Sequence, residues 1–556
     1  MNPLQRRIDA ALGKIPCDLL IHNVRFLDVF SCEWKEGDVA VIDGVIVGIE
    51  TGLKARRSLE GRHKFLVPGF IDAHVHVESS LLVPDNFQRA VLKRGTTTAI
   101  CDPHELTNVM GLEGLNFFLQ AAETLKMDLR VMLSSCVPAT NMETNGGGTI
   151  SAEQLAPLLS HPKALGLAEM MNVPGVLNCD PEVLKKIEAF SHRPIDGHCP
   201  QVTGRELSAY ASAGISSCHE SSELPEALEK LTKGIAVWIR EGSVAKDLDQ
   251  LAPILNMATS TSVGFCTDDR NPLDIAVEGH IDFLIRGAIR HGVAPEVAYR
   301  SASWSVARHY GLTRFGAIAP GYAADLVLLD DMVSCSVSNV FKAGVPVAEV
   351  EQKAGIASIV RNTVRASVPE ARDLEGVTGR VHVIGVQHGS IITDRHVLDH
   401  DAPGVAHLSV LERYGHGTKP ANAYVKGFGE NFRGAIASSV GHDSHNLIVV
   451  GSSTADMRVA LGALIETGGG FCVVQNGTVQ AGLALPFGGL MSKEEPQVIE
   501  SSLRELHAAS RMTGCELPEP FLQLAFLSLP VIPSLKLTDK GLVDVDQFKI
   551  IDVRSN

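Results

Sequence analysis

Two histidines one residue apart are the first groups in this chain that could do chemistry. Val67-Pro68-Gly69-Phe70-Ile71-Asp72-Ala73-His74-Val75-His76 reads as a buried strand entered through a Pro-Gly turn. Side chains alternate across a strand, so His74 and His76 point to one face, with Asp72 two residues behind. Two imidazoles at a strand end can hold a divalent metal ion. Two ordinary strand histidines would look the same, so the reading depends on what else reaches that face. Further candidates recur downstream: Asp102-Pro103-His104-Glu105, Glu169 in Gly166-Leu167-Ala168-Glu169-Met170, His198 in Asp196-Gly197-His198-Cys199-Pro200, His219-Glu220 and Asp268-Asp269. Each alone could be a satisfied core residue or an exposed loop residue. Six strand ends with metal-type ligands are hard to obtain by accident.

His74, His76, Glu169, His198, His219 and one of the paired aspartates supply ligands for two metals rather than one. A carboxylate shared by two cations offsets their repulsion. Imidazole with carboxylate suits Zn, Fe(II) or Mn(II). Two such ions about 3.5–4 Å apart can bridge a water and lower its pKa toward neutrality. The nucleophile would be hydroxide bridging the pair, and the expected chemistry is hydrolysis.

These residues need strands to carry them. Beyond the His74-x-His76 strand, helical patterns alternate with strand-like runs at 96–102, 129–137, 164–171, 194–199, 215–219, 234–240 and 261–267. Alternating strand and helix over about 250 residues is the signature of a (β/α)8 TIM-type barrel, whose chemistry sits at the C-terminal strand ends. That block is expected to span 67–316. On either side the texture is β-rich. Asp18–Asn23 and Asp38–Ile49 are strand-like, the latter broken at Asp43-Gly44, a hairpin signal. A turn and strand return at Gly316–Asp330. Residues 1–66 and 317–375 are expected to pair into a small β-sandwich domain. Residues 376–556 mix strands such as Arg380–Val386 with Gly468-Gly469-Gly470 and read as a third, α/β domain.

The 556 residues are 45% hydrophobic and 20% charged, a globular composition with room for large cores. A net charge of -15 argues against a nucleic-acid surface. No run reaches the ~18 apolar residues of a membrane span, and the polar start Met1-Asn2-Pro3-Leu4-Gln5-Arg6-Arg7 lacks a signal-peptide core. Eleven cysteines, an odd number with no C-x-x-C pair, read as reduced thiols in a cytoplasmic protein.

Pro68 to His76, Glu169, His198, His219 and Asp268 together resemble the amidohydrolase superfamily. Many of its members place a carboxylated lysine where this chain has Glu169. That departure, together with Cys101-Asp102-Pro103-His104-Glu105, Cys266-Thr267-Asp268-Asp269-Arg270, Lys419–Gly427 and Gly441-His442-Asp443-Ser444-His445-Asn446, resembles the bacterial adenine deaminases over nearly the whole chain. The resemblance implies hydrolytic deamination of adenine to hypoxanthine and ammonia, a purine-salvage reaction, with two divalent transition metals (Mn, Fe or Zn). It implies that Asp268 ligates a metal and takes the proton from the bridging hydroxide. His104 and Glu105 become candidates for proton delivery, or for orienting the ligands. In Thr267-Asp268-Asp269 regular strand geometry lets one aspartate side chain point inward, so Asp268 is the expected ligand and Asp269 a substrate contact. His442, Asp443 and His445 would close over the purine from the third domain. Glu220 and Arg240 are weaker candidates. A homodimer is expected.

Two alternatives stand beside this reading. Another binuclear amidohydrolase, a cyclic amide hydrolase or an amino-sugar deacetylase, would keep the metals and change the pocket. A metal-poor barrel with a structural role should have lost ligands, and here every expected position is filled. The editing-type zinc deaminases need H-x-E with a later P-C-x-x-C. His76-Val77-Glu78 matches the first half, but no P-C-x-x-C follows, and Cys199-Pro200 has the order reversed.

Overall fold

A computed structural model describes residues 2–349, 362–417 and 419–555. Residues 350–361, inside the second part of the expected β domain, lie outside the described residues.

The barrel strands are Phe70–Val75, Thr96–Cys101, Asp128–Leu133, Ala164–Met170, Ile195–Gly197, Ser217–Cys218, Ala236–Arg240 and Val263–Cys266, and they pair side by side in chain order. Every pairing is parallel. Most strands are buried at every position, as a parallel sheet covered by helices requires. Ile71, Ala73, Ile100, Met132, Leu165, Ala168, Ala236, Trp238 and Cys266 fill one core with Val306 and Ala307 of helix Trp304–His309 and with Tyr310, which follows it.

The barrel closes between its first and last strands. Asp268 N–H donates to His74 C=O at 3.0 Å, and His76 N–H donates to Asp268 C=O at 3.3 Å. The seam is therefore sewn by the same residues that carry the ligands expected from sequence.

The small β domain uses chain from both sides of the barrel. Cys17–Asp28 pairs with Glu33–Ile42 and, in parallel, with Ala55–Glu60 and Phe65–Pro68. Phe65–Pro68 pairs antiparallel with Leu326–Asp331. Asp43 and Gly44 both have positive φ, 51° and 74°, which gives the expected tight hairpin between Glu33–Ile42 and Val45–Gly48.

The third unit is an eight-stranded mixed sheet that runs from Arg380–Val386 to Thr478–Ala484, with helices Thr454–Thr467 and Pro496–Met512. Its core is continuous with that of the barrel. Phe117 of a barrel helix meets Phe487 at 4.7 Å between ring centroids, and Asn86 donates to Lys493 C=O at 2.9 Å. No helix of the described residues is long and apolar enough to cross a membrane.

Candidate metal centre and catalytic site

Glu169, on the fourth strand, lies between two pairs of histidines. Its Oε1 is 3.3 Å from His76 Nε2 and 3.8 Å from His74 Nε2. Its Oε2 is 2.6 Å from His198 Nδ1 and 3.2 Å from His219 Nε2. Asp268 Oδ1 lies 3.1 Å from His76 Nε2 and 3.6 Å from His74 Nε2. All six side chains are buried. Two triads of ligand atoms, one from His74, His219 and Asp268 and one from Glu169, His198 and His219, are each compact enough to surround one ion.

The surroundings decide which ring nitrogen faces inward. His76 Nδ1 lies 2.9 Å from Asp102 C=O, an acceptor only, so Nδ1 carries the hydrogen and the Nε2 lone pair faces the centre. Asp72 Oδ1 accepts from His74 N–H and Thr267 N–H, which ties the first strand to the eighth. Tyr210 donates its hydroxyl to Met170 C=O at 2.6 Å and accepts from His198 N–H at 3.1 Å, which fixes the fourth strand against the fifth.

Lone pairs and carboxylates that converge this closely need positive charge between them. Burial favours neutral carboxyls, yet the facing imidazoles hold Glu169 and Asp268 well below the usual range. Burial likewise opposes charge on His76, and Asp268 and Glu169 raise it well above its ordinary value. Divalent cations would supply that charge, and a mixed imidazole–carboxylate donor set suits Zn, Fe or Mn. The residues present fit such a centre.

A second group of acids and bases adjoins it. His104 Nδ1 is 3.1 Å from Asp102 Oδ2 and 3.4 Å from Glu169 Oε1, and its Nε2 is 3.5 Å from Asp443 Oδ1. Burial opposes its charge, but Asp102 and Asp443 raise it well above its ordinary value. Burial, with Glu78 and Asp269 nearby, pushes Glu105 well up. Ser79 Oγ sits 2.7 Å from Glu105 Oε1 and 2.5 Å from Asp269 Oδ1. A hydroxyl has one hydrogen to give, so one of the two carboxyls must bring its own to complete both bonds.

Both aspartates of Thr267-Asp268-Asp269 reach the site, which corrects the expectation that one alone points inward. Their oxygens and a His76 nitrogen all lie within 4.8 Å of one another. The strand ends at Cys266, and Asp268 takes a left-handed φ of 54°, so strand alternation no longer applies. Arg240 extends the network. Its Nη1 contacts Glu220 and lies 3.1 Å from Asp268 Oδ2, and its Nε is 3.0 Å from Asp247 Oδ2.

From the third unit His442 and Asp443 line the same cavity as the histidines, with Phe526, Leu529 and Ile391. The His442 ring stacks on Phe526 at 4.7 Å. His445 lies behind that wall, its Nε2 4.0 Å from Glu105 Oε2. Sequence reasoning missed Ser79, Asp247, Ile391, Phe526 and Leu529. The apolar three carry no local signal, because their role arises only where the third unit meets the barrel mouth. Ser79, three residues after His76, was within reach of a search for short-range hydroxyl partners.

Residues 65–347 match the model of the amidohydrolase family, and residues 384–549 match that of the adenine deaminase C-terminal domain. A protein of Methylobacterium nodulans described as adenine deaminase is 49% identical over 99% of both chains. Proteins of the same description from Gluconobacter oxydans and Brucella suis are 48% and 46% identical over 99% of this chain, and over 99% and 96% of theirs. By that family model the chain is an amidohydrolase, with buried imidazoles and carboxylates at its barrel strand ends. The chain belongs, end to end, to the adenine deaminase family.

Proposed function

We propose that the protein converts adenine and water to hypoxanthine and ammonia, with His74, His76, Glu169, His198, His219 and Asp268 holding two divalent transition metals (Mn, Fe or Zn). One observation carries the reading: His74 and His76, with His104 beside them, face one oxygen of Glu169 while His198 and His219 face the other, in a chain similar over its full length to proteins described as adenine deaminases. When bound, such ions lower the pKa of water and so supply a nucleophile near neutral pH.

The chain's own groups would do the rest. Asp268, kept anionic by its neighbours, takes up the proton lost as water attacks C6. Arg240 holds the other oxygen of that carboxylate and keeps it turned toward the reacting carbon. N1 must gain a proton, and the amine must leave as ammonia. His104 and Glu105, both shifted toward their protonated forms, would deliver these protons. Asp269, His442 and Asp443 meet the purine edge, and His445 supports Glu105 from behind. The stacked rings of His442 and Phe526 give a flat ring a wall to lie against. A cytoplasmic homodimer belongs to the same reading, and sedimentation velocity tests the assembly.

The decisive experiment mixes metal-loaded protein with adenine, adenosine, cytosine and guanine and measures ammonia from each. Adenine should react and adenosine should be poor. Comparable rates on both would end the claim for the free base, and no ammonia from adenine would end the reading altogether.

A further inference from the structure

Cys199 follows His198 at the end of the fifth barrel strand, and Cys218 precedes His219 on the sixth. The two strands are neighbours, with Gly197 opposite Cys218. The two Sγ atoms are 3.6 Å apart, and both residues are fully buried. The Cys218 thiol points at Glu220 C=O at 3.8 Å, and the buried Lys230 ammonium donates to the same carbonyl at 2.6 Å. That ammonium is itself paired with Glu226 at 2.7 Å, and the closeness of the two sulfurs is what sets this pair apart.

We propose that Cys199 and Cys218 form an oxidisable dithiol site whose co-reactant is a hydroperoxide, and that its closure to a disulfide disables the neighbouring histidines reversibly. In the first step Cys218 Sγ attacks a peroxide oxygen. An S–O bond forms, the O–O bond breaks, and the leaving oxygen takes a proton to become an alcohol, or water from hydrogen peroxide. In the second, Cys199 Sγ attacks Cys218 Sγ. The S–S bond forms, the S–O bond breaks, and water leaves with the second thiol proton. The dithiol loses two electrons and the peroxide gains them. A later thiol reductant restores both cysteines.

Closing the gap from 3.6 Å to the ~2.05 Å of a disulfide removes roughly 1.5 Å between the sulfurs, which side-chain rotation and strand displacement must share. His198 and His219 are the residues next to the two sulfurs, and both face Glu169 Oε2. A misplacement of about 1 Å in a site of this kind costs on the order of 100-fold in rate. The effect on deamination rests on the function proposed above, whereas formation of the bond does not.

The test uses full-length, zinc-loaded protein with the exposed Cys179 replaced, Cys179→Ser, to prevent links between molecules. Hydrogen peroxide is added, remaining thiols are blocked with iodoacetamide, and the unreduced protein is cleaved with trypsin. Arg205 separates the two cysteines, so the bond appears as two peptides joined with the loss of two hydrogens. The expected result is that linked pair, removable by dithiothreitol, with deamination reduced at least 10-fold and restored on reduction. In Cys199→Ser the same dose should give no link and no reversible loss. Iodoacetamide labelling of both thiols after peroxide, or a link that forms only in denaturant, would overturn the site. A link that leaves deamination intact would overturn its effect on the histidines. Wild-type protein that forms the link but never deaminates adenine would count against the function, not against the dithiol.

Discussion

Arg240 grips Asp268 by one oxygen, Nη1 to Oδ2 at 3.1 Å, while the other oxygen of that carboxylate faces His76 Nε2 at 3.1 Å. The same guanidinium serves Glu220 and Asp247. Arg240→Met would leave three buried carboxylates facing one another. Removing one partner of a buried ion pair costs about 3–5 kcal/mol, and urea unfolding should show a loss of that size. Arg240→Lys restores charge but not the planar fork. It should recover much of the stability and little of the turnover. Normal turnover in the lysine variant would show that Asp268 needs charge nearby and no defined grip.

A glutamate bridge forms without carbon dioxide, unlike a carboxylated lysine. Metal-free protein should therefore regain activity from divalent metal alone, with no added bicarbonate. Glu169→Gln keeps the shape and removes the charge that offsets two cations. It should lose at least one metal and most of its deamination. Glu169→Lys should be inactive without bicarbonate and nearly so with it, because the pocket is not shaped for a longer carbamate. Metal content and ammonia release in the three proteins decide the matter. Two metals and near-normal turnover in Glu169→Gln would move the bridge to another residue.

The third unit contributes both a wall and a charge. Asp443→Asn keeps the volume and removes the carboxylate facing His104. That carboxylate lies 3.5 Å from His104 Nε2 and helps raise its pKa, so kcat/KM for adenine should fall by at least about 10-fold with metal content unchanged. Deletion of residues 376–556 is a poorer experiment, because Phe117 and its apolar neighbours pack directly on that unit. The truncated barrel should aggregate.

Lys536 gives the fold a pH dependence. It is fully buried, and its Nζ donates to Ile391 C=O at 2.8 Å. Burial pushes its pKa down to about 7, against roughly 10.4 in an unfolded chain. Below pH 7 both states carry the charge, and only the folded state bears the cost of burying it. Between about 7 and 10.4 the unfolded state binds more protons, so stability rises with pH. Lys536→Met should stabilise the protein by a few kcal/mol near pH 6, on the order of the shift at 1.36 kcal/mol per unit. The gain should shrink toward pH 10. Equal gains at both pH values would mean that Lys536 folds already neutral.

The barrel was legible because its strands are short apolar runs that each end in a polar residue, as at Ile71 to His76 and Val263 to Asp268. Periodicity failed one step past the eighth strand, where the left-handed turn at Asp268 brings Asp269 inward as well. No alternation rule carries that information. The His442-Asp443 wall was expected through resemblance alone, and its partner Phe526 was invisible. Nothing in a local stretch of sequence tells a phenylalanine in a core from one stacked on a histidine at a barrel mouth.

The strand Phe65–Pro68 has one neighbour, Cys17–Asp28, that leaves the ribosome just before it, and another, Leu326–Asp331, that follows only after the whole barrel. Translation at about 5–20 residues per second puts on the order of 10–50 s between its two edges being filled. During that interval a hydrophobic strand edge stands bare on a growing chain, a template for any other extended segment in reach. The step most exposed to failure in making this enzyme is thus the wait for a strand that closes the sheet around a finished barrel.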